Sequence, residues 1–124
     1  MKITFNSLII DAQKKESRFH FSAPLVIGKW NEFVVYEFVE PSNQELNRIE
    51  VSQDAVNIIA GPNTINLELE KDIDVLYKTS VGEIIFTSRL NKLKMQEDEV
   101  EFNYNLSDNG NEIGNYTIKL KIEK

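Results

Sequence analysis

The sequence predicts an all-β fold, and three features of the chain support this prediction. Apolar and polar residues alternate with a period of two through most of the chain, which is the pattern of half-buried strands. The apolar positions are rich in β-branched and aromatic residues, which strands favour. Short clusters of Gly, Pro, Asn and Asp separate the alternating segments. Many short strands at regular spacing are typical of a sandwich or a barrel.

The predicted strands follow one another from the N-terminus to the C-terminus. Segments with one apolar and one polar face cover residues 3–7, 19–25, 65–69, 100–106 and 116–122. The segment Phe33–Val39 is denser, and it predicts a strand that is apolar on both faces. Turn residues fall between these segments, at 28, 41–43, 61–63, 81–82, 97–98 and 108–110. Because no linker, repeat or low-complexity stretch interrupts the pattern, we expect a single domain over residues 1–124.

One segment, Ser42–Ile49, fits either a helix or a strand. Its first four residues have the form of a capping box, and Leu46 and Ile49 follow at helical spacing. The alternative is a strand through Ile49 and Val51, which we expect because the surroundings are all β. A helical turn near Ser42 remains the competing prediction.

The last two predicted strands form a hairpin whose register follows from the alternation. A two-residue turn at Asn109–Gly110 would place Phe102 opposite Thr117, and every apolar residue would face a polar one. A three-residue turn with Gly110 in the left-handed conformation places Phe102 opposite Tyr116. We therefore expect the three-residue turn, and we expect Gly82 to hold a backbone conformation that other residues disfavour.

The charge balance argues against nucleic-acid binding. The chain has 14 Lys and Arg against 20 Asp and Glu, which gives a net charge of −6. Proteins that bind nucleic acids normally present a basic surface. The N-terminal segment is interrupted by Thr4, Asn6 and Ser7, and no stretch approaches the roughly 20 apolar residues of a membrane span. We expect a cytoplasmic protein without nucleic-acid or membrane partners.

The residues that most often carry catalysis or bind metals are scarce. There is no Cys, and the one His, His20, lies on the polar side of its predicted strand, where a surface position is expected. Acidic residues at 97–101 match no calcium-binding loop, and Lys119 and Lys121 predict cross-strand ion pairs with them instead. Neither a nucleophile elbow nor a Gly-rich phosphate loop is present. We therefore expect no enzyme, no catalytic or metal-binding residue and no cofactor.

Two segments resemble a known family. Residues 77–86, which begin Tyr-Lys-Thr-Ser-Val-Gly, look like the Tyr-x-Thr-x-x-Gly strand pair of the YwiB-like family of uncharacterised bacterial proteins, and residues 102–122 resemble its C-terminus. The resemblance implies a calycin-like (lipocalin-like) fold, a single closed or nearly closed antiparallel β-barrel of about eight to ten strands. It implies no known activity. Ile59 and Leu90 stand where the family usually or often has Arg and Thr, which implies a more apolar interior here.

A barrel of this size is either filled by its own side chains or holds one small ligand. The first hypothesis is a site for a small, largely apolar and uncharged molecule with one or two polar atoms. Its candidate ligand-binding residues are the aromatics Tyr36, Tyr77, Phe86, Phe102, Tyr104 and Tyr116. The alternative is a protein-interaction module or homodimer that acts through its outer surface. Outward-facing Ile85 and Ile113 and the two-faced strand Phe33–Val39 motivate it.

Overall fold

The computed structural model of the protein covers residues 1–124 and consists of strands joined by turns. The strands are β1 Lys2–Asp11, β2 Glu16–Pro24, β3 Val26–Trp30, β4 Phe33–Glu40, β5 Glu45–Val51, β6 Ala55–Ala60, β7 Asn63–Glu68, β8 Asp72–Thr79, β9 Gly82–Met95, β10 Glu99–Asp108 and β11 Asn111–Glu123. The prediction of an all-β fold is confirmed. The structure contains no helix with the length and apolar character needed to span a membrane.

The strands form two antiparallel sheets, and neither sheet closes on itself. The six-stranded sheet has the order β2-β1-β11-β10-β9-β8, and the five-stranded sheet has the order β3-β4-β5-β6-β7. The single closed barrel of eight to ten strands is therefore not what is observed. The chain passes from the first sheet to the second at Pro24–Leu25 and returns at Leu69–Lys71. At both crossings the regular backbone hydrogen bonding between paired strands stops. Pro24 contributes to this at the first crossing, because proline has no N–H to donate to a neighbouring strand.

The core lies between the two sheets. Phe102 and Leu120 of the six-stranded sheet and Ile49 and Leu67 of the five-stranded sheet are almost completely buried there. Buried residues from both sheets belong to one continuous apolar cluster. The alternation of each strand therefore directs its apolar face inward, as the sequence pattern predicts.

The segment Ser42–Ile49 forms a turn followed by a strand. Residues 41–44 make the turn between β4 and β5, with Gln44 at a φ of 58°, and β5 begins at Glu45. The strand pairs with β4 on one side and β6 on the other, which satisfies its backbone groups within the sheet. The expected strand is confirmed, and the helical alternative is wrong.

The register predicted for the last hairpin is wrong. The turn has two residues, Asn109 and Gly110, at φ values of 50° and 83°, which is the combination favoured in tight hairpins. An irregularity between Leu106 and Ser107 then shifts the register, so that Phe102 lies opposite Ile118 rather than Tyr116. This shift keeps apolar residues opposite apolar ones. The expectation for Gly82 is confirmed by its φ of 140°.

Candidate functional site

Three tyrosines lie near one another on the inner face of the six-stranded sheet, and we call Tyr77, Tyr104 and Tyr116 the tyrosine cluster. They belong to β8, β10 and β11, where alternation turns them toward the other sheet. Tyr104 and Tyr116 are direct cross-strand partners. Their rings stack with centroids 4.8 Å apart and planes 13° apart. Such stacking fixes both rings in the sheet.

The electrostatics of the tyrosine cluster follow from burial and from the proximity of the phenols. Burial raises the pKa of Tyr104, and the neighbouring phenols of Tyr116 and Tyr77 raise it further. Burial also raises the pKa of Tyr116, and Tyr77 adds to this effect. Both phenols therefore stay protonated near neutral pH. They can exchange hydrogen bonds with a polar atom, but they do not supply a base.

Gly114 makes room for the ring of Tyr116. A Cβ atom at Gly114 would lie 2.9 Å from the Tyr116 hydroxyl oxygen and 3.1 Å from a ring carbon. Real side chains do not approach so closely, so the ring reaches this position only because residue 114 has no side chain. The backbone of β11 therefore determines where the Tyr116 hydroxyl lies.

A pocket of about 210 Å³ lies beside Tyr77, between the ends of the two sheets. Its apolar walls come from Ile58, Ala60 and Ile65 of the five-stranded sheet, with Pro62 at the turn. Its polar lining residues are Glu45, Asn63 and Tyr77. The pocket thus combines apolar walls with a few polar groups, which is the usual character of a small-molecule site.

Asn63 joins the two sheets at this end of the molecule. Its side-chain oxygen accepts a hydrogen bond from the Lys78 backbone N–H at 2.7 Å, and its side-chain nitrogen donates to the Lys78 carbonyl oxygen at 3.2 Å. The side-chain amide of Asn63 thus makes the two hydrogen bonds to Lys78 that a backbone amide of a paired strand would make between β7 and β8. It thereby fixes β8 beside the pocket that Tyr77, the residue before Lys78, lines.

Of the six predicted site residues only Tyr77 lines the pocket, and the other five, Tyr104 and Tyr116 included, lie outside it. Phe86 contacts Tyr77, with ring centroids 5.9 Å apart. Phe102 is completely buried and stacks on Tyr104 at 6.1 Å. Tyr36 is buried in the core from the five-stranded sheet, and burial raises its pKa. The structure therefore brings Tyr77, Tyr104 and Tyr116 together at one end, and it uses Phe102 and Tyr36 as packing residues.

The sequence analysis missed two features of this end of the molecule. Glu45 enters the pocket because it lies on the inner face of β5, a strand whose existence was itself uncertain from sequence. A cluster of phenylalanines lies where β2 and β4 diverge, with ring centroids 5.0–6.4 Å apart, and consists of Phe5, Phe19, Phe21 and Phe38. The alternation of Phe19 and Phe21 predicted their common face, but not their contact with Phe38.

The largest pocket lies at the opposite end of the sandwich and has a different character. It measures about 520 Å³, and polar and charged residues such as Lys29, Glu32 and Gln53 outnumber its apolar ones. None of the predicted aromatic residues lines it. It is an open crevice between Val34 and Val51 of one sheet and Leu93 and Met95 of the other. Despite its smaller volume, the pocket beside Tyr77 is the better candidate because Ile58, Ala60 and Ile65 form its walls and Tyr77 lines it.

The remaining sequence candidates lie on the surface. His20 is exposed, and its Nδ1 lies 2.7 Å from the side-chain oxygen of Asn6, as a surface position predicts. Lys119 and Glu99 form an ion pair at 3.5 Å, so the predicted ion pairing is confirmed for Lys119 but not for Lys121. No three His, Asp or Glu side chains group together in a way that could hold a metal ion.

Every buried side-chain nitrogen or oxygen atom has a hydrogen-bond partner, so the core itself contains no polar atom that a ligand would have to satisfy.

Comparisons with known proteins give consistent matches. The model of the family described as "Domain of unknown function (DUF1934)" matches residues 3–120. A protein of Mycoplasmopsis pulmonis described as "Uncharacterized protein" is 36% identical over 125 residues, with 98% of each chain covered. The crystal structure of the ywiB protein from Bacillus subtilis is similar in fold, with a TM-score of 0.74 and 14% identity. That comparison covers 99% of this chain and 91% of the other.

Proposed function

The chain belongs to the DUF1934 family, as its resemblance to YwiB-like proteins predicted, and we propose that it binds a small, largely apolar molecule in the pocket beside Tyr77. The observation that carries this proposal is the apolar-walled pocket at one end of the sandwich, which Tyr77 of the tyrosine cluster lines. The interior between the sheets is filled by its own side chains, so the site belongs at this end rather than in the core.

The size and lining of the pocket define the ligand class. A volume of about 210 Å³ is smaller than the roughly 300–1,000 Å³ typical of sites for drug-sized ligands, which favours a molecule of one or two rings. Ile58, Ala60 and Ile65 supply apolar walls, and Tyr77 supplies a hydroxyl for one polar atom. Glu45 disfavours phosphates and other anions because like charges repel.

Native mass spectrometry of the freshly purified protein tests whether it carries a small molecule. We expect a population heavier than the 14.3 kDa chain, and we expect denaturation to release the added mass. A second measurement uses the neutral naphthalene dye prodan, whose fluorescence increases in apolar surroundings.

A matched pair of variants locates the binding site. Ala60→Phe places a ring in the pocket, whereas Thr64→Phe places the same ring on the opposite, exposed face of the same sheet. We expect the wild type and Thr64→Phe to enhance prodan fluorescence, and Ala60→Phe to bind the dye at least tenfold more weakly. If Ala60→Phe binds as well as the wild type, or the wild type binds no dye and carries no added mass, the proposal is wrong.

A further inference from the structure

The outer face of the five-stranded sheet is more apolar than the outside of a sandwich normally is. Val26, Trp30, Phe33, Val39 and Leu46 all point away from the core, and we call these five residues the outer patch. Cross-strand pairing groups them in two clusters toward the two ends of β4, because Val39 lies opposite Leu46 and Trp30 lies opposite Phe33. Val26 is 67% exposed, Leu46 56% and Trp30 52%. Apolar residues that cluster on an exposed sheet face mark an interaction surface.

A fixed polar group lies among these residues. Glu50 is on the outer face, yet it is almost completely buried, and so is its cross-strand neighbour Val35. The Glu50 carboxylate accepts hydrogen bonds from Arg48 Nε at 2.8 Å and from the Asn57 side chain at 3.1 Å. These bonds hold Arg48 flat against the sheet. Arg and Trp in fixed positions are the residue types that contribute most strongly to protein interfaces.

The outer face of the other sheet differs in chemistry. There Asn103 donates hydrogen bonds to the side chains of Asn115 and Thr117, at 2.8 and 2.9 Å, and Asn91 donates to Asn103 at 2.9 Å. This amide network is well suited to water. The central strands of this face are therefore polar, and its exposed apolar pair, Leu76 and Ile85, lies at the β8 edge of the sheet.

We propose that the outer patch is the interface of a homodimer in which the five-stranded sheets of two copies pack face to face. The charge distribution supports a second copy as the occupant. On the outer face of β3 to β7 the charged residues are Glu37, Arg48, Glu50 and Glu68, a net charge of −2, whereas the whole chain carries −6. Two copies can therefore meet through this face while most of their like charge stays apart. This proposal is independent of the ligand pocket, which lies on the inner side of the sheet.

The area of the face is close to that of a small specific interface. Five strands spaced about 4.8 Å apart, each rising about 3.3 Å per residue over some six residues, cover a footprint of about 500 Å². Side-chain relief makes the accessible surface larger than the footprint. A standard interface buries about 800 Å² on each partner, and the smaller specific ones about 600 Å². A dimer that packs two sheets face to face would therefore need nearly the whole outer face of this sheet.

Sedimentation velocity and light scattering over a range of protein concentrations test this proposal. We expect the wild type to reach twice the 14.3 kDa mass of one chain. The double substitution Val26→Lys/Leu46→Lys should give a monomer, because each interface would then bury four added charges. The matched control is Ile85→Lys on the outer face of the other sheet, where Ile85 is 62% exposed; this variant should remain dimeric.

Tryptophan fluorescence gives a second, independent measurement. Trp30 is the only tryptophan, and it belongs to the outer patch. Its emission should shift to shorter wavelength as the wild type associates, and it should stay constant in Val26→Lys/Leu46→Lys. Circular dichroism establishes that both variants keep the β-fold. A wild type that stays monomeric at every concentration would overturn the proposal. So would a range of larger species, or a dimer that Ile85→Lys disrupts and Val26→Lys/Leu46→Lys leaves intact.

Discussion

At the scale of single residues, the missing side chain of Gly114 sets the position of the Tyr116 ring. The ring occupies the space that a Cβ atom at residue 114 would need, with 2.9 Å between that atom and the hydroxyl oxygen. The same ring stacks on Tyr104 across the β10–β11 pair. The stacking in the tyrosine cluster therefore depends on a residue that makes no side-chain contact of its own.

A double-mutant cycle measures this dependence. Gly114→Ala should destabilise the wild type by about 1 kcal/mol, because the displaced ring loses its stacking with Tyr104. In a Tyr116→Ala background the same change should stabilise the protein by about 0.5 kcal/mol, since alanine loses less backbone entropy than glycine in a strand. Urea unfolding of the four proteins gives both values. Equal effects in the two backgrounds would mean that the ring and residue 114 are not coupled.

The buried phenols predict a loss of stability at alkaline pH. Burial first, and the neighbouring phenols second, raise the pKa of Tyr104 above its ordinary value of 10.0. The folded protein then holds a proton that the unfolded chain releases, so stability is full below about pH 10 and falls as the pH rises further. Tyr104→Phe should lessen this fall in urea unfolding series from about pH 8 to pH 11. An unchanged slope would contradict the assignment to Tyr104.

The sequence predicted the faces of the site residues better than their roles. Alternation alone placed Tyr77, Tyr104 and Tyr116 on the inner face, and the structure agrees. Alternation could not reveal which aromatic side chains fill the core, because Phe102 and Tyr104 follow the same pattern. These two residues differ only in their distance from the end of the sheet. Glu45 was missed for a physical reason, since its place depends on where β5 begins.

At the scale of elements, the β10–β11 hairpin shows how far the alternation of apolar and polar residues determines the register of strand pairing. Alternation requires apolar residues opposite apolar ones, and the observed pairing of Phe102 with Ile118 meets this requirement as well as the predicted pairing with Tyr116. Two registers that differ by two residues are therefore equivalent by this criterion. The tight Asn109–Gly110 turn, combined with an irregularity after Leu106, selects the observed one.

Two glycine substitutions test the turn. Gly110 has a φ of 83°, so Gly110→Ala should cost about 1 kcal/mol or more of stability. Gly28 in β3 is the control, because its φ is not in the left-handed region and an added Cβ would meet no atom within 4 Å. Gly28→Ala should therefore be neutral or slightly stabilising. Similar losses in thermal unfolding of the two variants would argue against the left-handed turn.

At the scale of the whole molecule, the division into two sheets depends on what happens between β7 and β8. These strands are consecutive, yet beyond the single bridge between Glu68 and Lys71 they do not pair as a ladder. Ser88 of β9 is completely buried, and its hydroxyl donates to the Asn66 carbonyl oxygen at 2.7 Å, with the Ile73 carbonyl oxygen 3.3 Å away. A side chain thus satisfies backbone groups that a closed barrel would satisfy by strand pairing.

This arrangement explains why the sequence predicted strands correctly and closure incorrectly. A closed barrel and a two-sheet sandwich require the same alternation along each strand, and they differ only where the chain crosses between sheets. Here those places are Pro24–Leu25 and Leu69–Lys71. Nothing in the alternation of residues 65–69 indicates that a serine some twenty residues later will enter the gap beside that strand.

Ser88→Ala tests whether this hydroxyl holds the two sheets together. The substitution leaves the Asn66 carbonyl oxygen without its partner, which should cost about 1–3 kcal/mol of stability. Ser107→Ala is the matched control, because Ser107 lies half-buried in β10 of the same sheet and its hydroxyl makes only a 3.5 Å contact with the Thr87 carbonyl oxygen. That change should cost less than about 0.5 kcal/mol.

Amide hydrogen exchange shows where in the molecule the stability is lost. In Ser88→Ala the amides of β7 and β8 should exchange faster, while those of β1 and β11, in the middle of the six-stranded sheet, should change least. Uniform acceleration across both sheets, or equal costs for the two serines, would show that the Ser88 hydroxyl does not hold β7 to β8.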